Sequence, residues 1–213
     1  MRIFISGNYS WDNIILGDVS IRFDGSSEFG SDSQWGSFWS VGGGINVHNL
    51  KFMKALPWLN QFKIRGTYGA TGKVNYPPYA ARDTYEVLFD DWYSTGVGAT
   101  LQGIGNEKLV WEKTNTTNIG FELSFFQSKY SLTFSWYNRQ TVDMITDVTI
   151  PSSAGFTSYK DNMGETRNRG YEISLSATIL NTKDFGVNAF INFARNEGRL
   201  MKISESLKAY NER

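Results

Sequence analysis

Few residues in this chain have the types and spacing that chemistry needs. His48 is the only histidine and cysteine is absent, so no Ser-His or Cys-His pair and no multi-histidine or thiolate metal site can be assembled. Acidic pairs do occur, at Asp90-Asp91 and at Asp143 with Asp147, but adjacent or i+4 acids on loops and strand ends do not define the opposed carboxylates of a glycosidase. No calcium-loop pattern and no phosphate-cradling glycine loop is present. These residues predict no catalytic site, no cofactor and no metal. A binding chemistry remains in one stretch, where Tyr76, Tyr79, Tyr85, Phe89, Trp92 and Tyr93 surround Asp90 and Asp91. Aromatic faces stack on sugar rings and carboxylates accept hydrogen bonds from hydroxyls, so Tyr79, Tyr85, Asp90, Asp91, Trp92 and Tyr93 are the candidate substrate contacts. The plainer alternative is that these aromatics pack their own loop or a partner.

The elements that would hold this stretch are strands. Of 213 residues, 7 are Trp, 11 Tyr, 15 Phe and 21 Gly, with only 4 Pro, a mixture suited to many strands joined by polar turns. Lys and Arg number 21 and so do Asp and Glu, and the charges are interspersed, which gives no electrostatic case for nucleic acid. No apolar run approaches the ~18 residues of a membrane-spanning helix.

Period-two alternation dominates. Tyr130, Leu132, Phe134 and Trp136 face one way against Ser131, Thr133 and Ser135. The same pattern appears at Tyr171–Ile179, Phe185–Phe193, Ile119–Phe125, Phe62–Tyr68, Trp39–Val47, Val19–Phe23 and, more weakly, Ile3–Tyr9, which makes eight strand candidates. Their links alternate. Short ones fall at Trp11–Asn13, Gln127–Lys129 and Leu180–Asp184; long ones at Asp24–Phe38, Thr71–Lys113 and Thr146–Asn168. Asn49 to Gln61 reads as a helical turn (Leu50, Met53, Lys54, Leu56) closed by Pro57. Short turns at one end and long loops at the other characterise antiparallel up-and-down transmembrane β-barrels. The apolar/polar alternation along each strand also fits a soluble extracellular carbohydrate-binding β-sandwich, in which one face of each strand meets a second sheet, but the links of a sandwich rarely alternate short and long so consistently.

Several clusters, in chain order, resemble SusC/RagA-type TonB-dependent transporters. They are Arg22-Phe23-Asp24-Gly25-Ser26-Ser27-Glu28-Phe29-Gly30, Trp35-Gly36-Ser37-Phe38, Arg65-Gly66-Thr67-Tyr68-Gly69-Ala70-Thr71-Gly72, Asn106 to Glu112 (N-x-x-L-x-W-E), and a run through Gly155, Asn162, Gly164, Asn168, Gly170 and Glu172. Trp39 and Lys73 depart from the family pattern, where proline and asparagine are usual. Physically these clusters read as turns, caps and close approaches that serve folding more than substrate contact.

The resemblance implies an all-β segment of a barrel of roughly 22 strands, in the bacterial outer membrane. It also implies import of glycans, oligosaccharides or peptides, with a SusD-like surface lipoprotein and energy from a TonB complex. On that resemblance residues 1–213 are expected to form about eight strands of the barrel, without the plug domain or the closing C-terminal strands, and to transport nothing alone. Lys63, Arg65, Glu122 and Glu172 are expected to face the lumen.

Overall fold

The computed structural model describes residues 1–29, 33–74, 80–94 and 96–203. Ten strands follow one another: β1 (Arg2–Trp11), β2 (Ile15–Gly25), β3 (Trp35–Asn46), β4 (Leu59–Lys73), β5 (Thr84–Tyr93), β6 (Gly96–Gly103), β7 (Glu112–Phe125), β8 (Tyr130–Thr149), β9 (Ser158–Asn181) and β10 (Gly186–Lys202). Eight of them make one antiparallel sheet in the order β1-β2-β3-β4-β7-β8-β9-β10, while β5 and β6 form a separate hairpin. All eight candidate strands lie in the large sheet. The sandwich alternative fails on this topology, because the strands that should divide between two facing sheets are neighbours in one.

Links between strands are shorter than the sequence suggests. The turn after β1 has Asp12 and Asn13 at φ 50° and 52°, with the Ile14 N–H donating to the Trp11 carbonyl at 2.9 Å. Positive φ at both positions suits the twist of a tight hairpin, and Asp and Asn tolerate it best among non-glycine residues. The helical turn expected within 49–61 is instead two 3-10 turns, Val47–Asn49 and Met53–Ala55. Within the expected loop Thr71–Lys113 stand the hairpin and the ends of β4 and β7. Much of the expected loop Thr146–Asn168 is strand, since β8 runs to Thr149 and β9 begins at Ser158. That extension is mostly polar, with Val148, Tyr159 and Met163 too widely spaced to mark an apolar face, so alternation gives no sign of it. It continues past a register shift between Thr141 and Met144, where Asp143 takes φ 55°.

Register makes the two faces of the sheet unlike. One row of directly opposed residues, Trp11-Ile15-Ile45-Ile64-Phe121-Phe134-Ile173-Phe193, is apolar across all eight strands. Many of its members stay exposed, among them Ile45, Ile64 and Phe193. A row on the opposite face, Asn8-Asp18-Gly42-Thr67-Asn118-Tyr137-Gly170-Asn196, carries polar side chains or glycine. Cross-strand hydroxyl pairs support the polar face: Ser20 with Ser40 at 2.7 Å, Ser131 with Ser176 at 2.7 Å, Thr114 with Thr141 at 3.0 Å.

The apolar stripe runs obliquely to the hydrogen-bonded rows. Towards the loop end its alternating run stops at Phe23 on β2, Trp39 on β3 (Trp35 stands alone beyond Ser37), Tyr68 on β4, Ile119 on β7, Trp136 on β8, Tyr171 on β9 and Phe193 on β10. Phe193 shares a row with Ile15, so the boundary falls from residue 23 to the level of residue 15 over six strand-to-strand steps. At ~3.3 Å per residue and ~4.8 Å per strand, a level stripe requires strands tilted by about 40°. That tilt matches the roughly 35–45° of membrane barrels.

Candidate functional site

Among the described residues a buried apolar cluster lies at the loop end, and motif residues supply most of it. Phe29, Phe38, Ala81, Leu109, Trp111 and Ile145 bury one another. Phe29 stacks on Trp111 with centroids 4.7 Å apart, and Phe38 meets the same indole edge-on at 5.6 Å. Trp111 Nε1 donates to the Ser33 carbonyl at 3.0 Å, so the one polar atom of this ring is satisfied. Gly36 and Gly72 flank the Phe38 ring so closely that a Cβ at either would collide with it.

Side-chain amides tie the segment before β7 to β8 and β9. Asn162 Oδ1 accepts the Val110 N–H at 2.9 Å, while its Nδ2 donates to the carbonyls of Val110 at 3.0 Å and Asp143 at 2.6 Å. Asn106 Nδ2 donates to the Lys160 carbonyl at 3.0 Å and to Asp161 Oδ1 at 3.1 Å. The buried Glu112 carboxylate accepts the Ile145 N–H at 2.9 Å beside the β8 irregularity. Asp24, also buried, pairs with Arg22 and with Arg2, both at 2.9 Å. These motif residues therefore clasp the loops, as the folding reading expects.

The clasp presents the β5–β6 hairpin, and Gly105 N–H donating to Asp83 Oδ1 at 2.8 Å helps close its base. Of the candidate contacts, Tyr85 is 63% exposed, Tyr93 is 67% exposed and Asp90 is exposed. Asp91 and Trp92 are described only by backbone position on β5, and Tyr79 lies outside the described residues, as does Tyr76. Five of the six candidates are thus on one strand, but not on one face. Register passes from Leu88↔Gly98 directly to Trp92↔Val97, leaving Phe89, Asp90 and Asp91 bulged out. Because that insertion is odd in number, Tyr93 falls in the register of Leu88 and Glu86, on the face opposite Tyr85.

A second site lies on the polar face, where Arg65, Asn118, Tyr137, Arg139, Asn168 and Glu172 line a groove of about 570 Å³. Arg65 pairs with Glu122 at 3.5 Å, and Gln61 donates to the same carboxylate at 3.3 Å. Arg65 and Glu172 are readable in the sequence as polar-face charges. Asn118, Tyr137, Arg139 and Asn168 were missed, although the same alternation, continued past the apolar part of each strand, would have found them.

The remaining sequence candidates have structural roles. His48 Nδ1 lies against the Phe62 backbone, 3.1 Å from its carbonyl oxygen and 3.3 Å from its nitrogen, and so fastens the link between β3 and β4. Asp147 pairs with Lys160 Nζ at 2.7 Å, and Asp143 occupies the β8 irregularity, so the two acids do not act together.

Residues 2–210 match the family described as TonB dependent receptor-like, beta-barrel. The chain is 32% identical over 207 residues to the TonB-dependent receptor SusC of Bacteroides thetaiotaomicron, covering 92% of this chain and 20% of that protein. It is 31% identical over 197 residues to TonB-dependent receptor P39 of Formosa agariphila, covering 92% of this chain and 19% of that one. The RagAB peptide transporter structure superposes with a TM-score of 0.87 at 33% identity, over 96% of this chain and 22% of that one. The siderophore receptor PirA from Pseudomonas aeruginosa, at 13% identity and a TM-score of 0.58, shares the fold. The chain thus spans about a fifth of the length of the curated relatives it matches. Its strand order, its unlike faces and these matches together make it a member of the TonB-dependent receptor-like β-barrel family.

Proposed function

We propose that this chain forms part of the wall of a bacterial outer-membrane transporter that imports oligosaccharides, glycans or peptides, binding and passing its substrate without a catalytic step. The oblique apolar stripe carries the reading. A face that stays exposed, is apolar on every strand and becomes level only at barrel tilt suits lipid, and its loop-end boundary is rich in aromatics, as a membrane interface is. SusC and the RagAB peptide importer are relatives of the right kind, and they favour a SusD-like surface lipoprotein and a TonB complex as partners.

On this reading the polar face lines the passage. The turn at Phe126–Lys129 lies on the periplasmic side and the β5–β6 hairpin outside. Tyr85, Asp90 and Tyr93, with Tyr79, Asp91 and Trp92, are the proposed substrate contacts.

Cysteine labelling tests the topology in intact cells. A cysteine at Ser94 should react with a membrane-impermeant maleimide and one at Ser128 should not. The reverse pattern, or a receptor that stays folded and monomeric in water without detergent, overturns the reading.

A further inference from the structure

β3 and β4 separate at the loop end. They pair only as far as Trp39↔Ala70, although β3 continues to Trp35 and β4 to Lys73. Their other neighbours stay with them, β2 to Gly25↔Trp35 and β7 to Lys73↔Glu112. The split therefore lies inside the sheet and not at either of its edges. A pocket of about 640 Å³ opens beside it, with Arg2, Arg22, Asp24, Ser26, Lys73 and Trp111 in its lining. Arg22, Asp24 and Lys73 hold polar-face positions in their strands.

Charge in this pocket is unbalanced. Asp24 is buried, and both its oxygens are engaged, Oδ1 by Arg2 and Oδ2 by Arg22, each at 2.9 Å. Arg22 Nε, although that close, is buried without a hydrogen bond, which costs stability unless a further acceptor reaches it. Lys73 stands exposed across the split. Glu112, its neighbour in register, accepts the Ile145 N–H, and among the described residues Lys73 has no ion pair. Even without Arg2, which lies on the outermost strand, two cations share one carboxylate. Trp111 gives the pocket an apolar wall, and the Phe38 ring lies 5.4 Å from the Arg22 guanidinium carbon. Beside such rings water screens a charge pair less than it does in the open.

Two cations and an unused buried donor suit an anion. We propose that this pocket holds a carboxylate of the incoming substrate, either a uronate of an oligosaccharide or the C-terminus of a peptide. Arg22 offers its free Nε–H, and Lys73 offers a second donor on a flexible stem. The inference rests on the transport reading above, which makes the polar face the wall of the passage, and it adds the charge that the substrate carries. Lys73 stands where the family pattern has asparagine, so the second cation is this chain's own.

The test uses the whole receptor purified in detergent, with titration calorimetry at low salt. The probes are tetragalacturonate and its methyl ester, and an uncharged-side-chain peptide with a free or an amidated C-terminus. The native receptor should bind at least one acid roughly tenfold more tightly than its esterified or amidated form. Which acid it prefers separates sugar from peptide. Lys73→Asn should erase most of that preference, and Lys73→Glu should reverse it. Lys113→Asn, on the opposite face, should change nothing. Raised salt should weaken binding of the acid more than that of its uncharged form. Lys73 is exposed, so its variants should fold, which heat-modifiable gel migration checks.

No preference for either acid overturns the inference, whether the pocket stays empty or an acid of the chain fills it, such as Asp32, which lies outside the described residues. A preference that Lys73→Asn leaves whole overturns it as well. Either result in a receptor that needs detergent leaves the membrane reading intact. A receptor that stays folded in water without detergent removes both.

Discussion

Asn162 grips Val110 at both of its backbone polar atoms, accepting the N–H at 2.9 Å and donating to the carbonyl at 3.0 Å. Only a side chain with one acceptor and a two-hydrogen donor can do this while also reaching the Asp143 carbonyl. Asn162→Ala leaves those half-buried groups without partners, at about 1–3 kcal/mol for each one that water does not reach. Asn162→Asp keeps the bond to the Val110 N–H but points a second oxygen at two carbonyls, so it should fare no better. Hydrogen exchange at Val110 and proteolysis within residues 80–111 should both rise in either variant while the sheet stays protected. Unchanged exchange at Val110 would show that the clasp does not hold this loop.

Gly72 and Phe38 form a second constrained pair. A Cβ at Gly72 would fall on the Phe38 ring, which is itself 3% exposed and held against Trp111. Gly72→Val should therefore lose folded protein by at least the roughly 1–3 kcal/mol of an overpacked core. Phe38→Ala also costs stability, about 3–5 kcal/mol if the site does not collapse. Combining the two should be less harmful than their sum, because the valine occupies space the ring has left. Strict additivity in a denaturation cycle would refute the contact.

The two faces of the sheet should respond oppositely to charge. Phe121 stacks on Phe134 with centroids 5.3 Å apart, beside an apolar hollow lined by Phe62, Ile64 and Leu123. Phe121→Arg places a cation in the middle of the stripe, where it should cost about 2–4 kcal/mol in a bilayer. Thr133→Arg, on the polar face between Glu122 and Ser174, should be nearly neutral. Folded fraction after refolding into lipid, read by heat-modifiable gel migration, distinguishes them; equal losses would sink the assignment of faces.

How far the sequence reveals this structure depends on what each face touches. Within the stripe one face is apolar and the other polar, so alternation alone locates all eight strands of the sheet. Beyond it, as at Thr146–Thr149 and Ser158–Asn168, apolar residues are too few and too irregularly spaced to mark a face, and strand looks like loop. The hairpin was hidden for another reason: its aromatics, among them Tyr85 and Phe89, suggest binding before they suggest pairing. Asn106, Glu112 and Asn162 stood out as motif residues, but their partners are the backbone of Lys160, Ile145 and Val110. Backbone acceptors and donors leave no signature in side-chain order. The bulge at Phe89–Asp91 was equally invisible, and it decides which aromatics share a face.

That bulge makes the last prediction specific. Tyr85 and Tyr93 are both exposed, yet the three unpaired residues between Leu88 and Trp92 put them on opposite faces of the hairpin. A substrate lying against one face can stack on only one of the two rings. Tyr85→Ala and Tyr93→Ala should therefore differ, with one weakening substrate binding by about 0.5–1.5 kcal/mol, or roughly two- to tenfold. The other should leave substrate affinity unchanged while the amount of folded receptor stays constant. Titration calorimetry on the two single variants and the double variant checks this, the double matching the more damaging single. Equal losses from both tyrosines would mean that the ligand wraps the hairpin or that the bulge closes on binding. No loss from either would remove the hairpin from the substrate path.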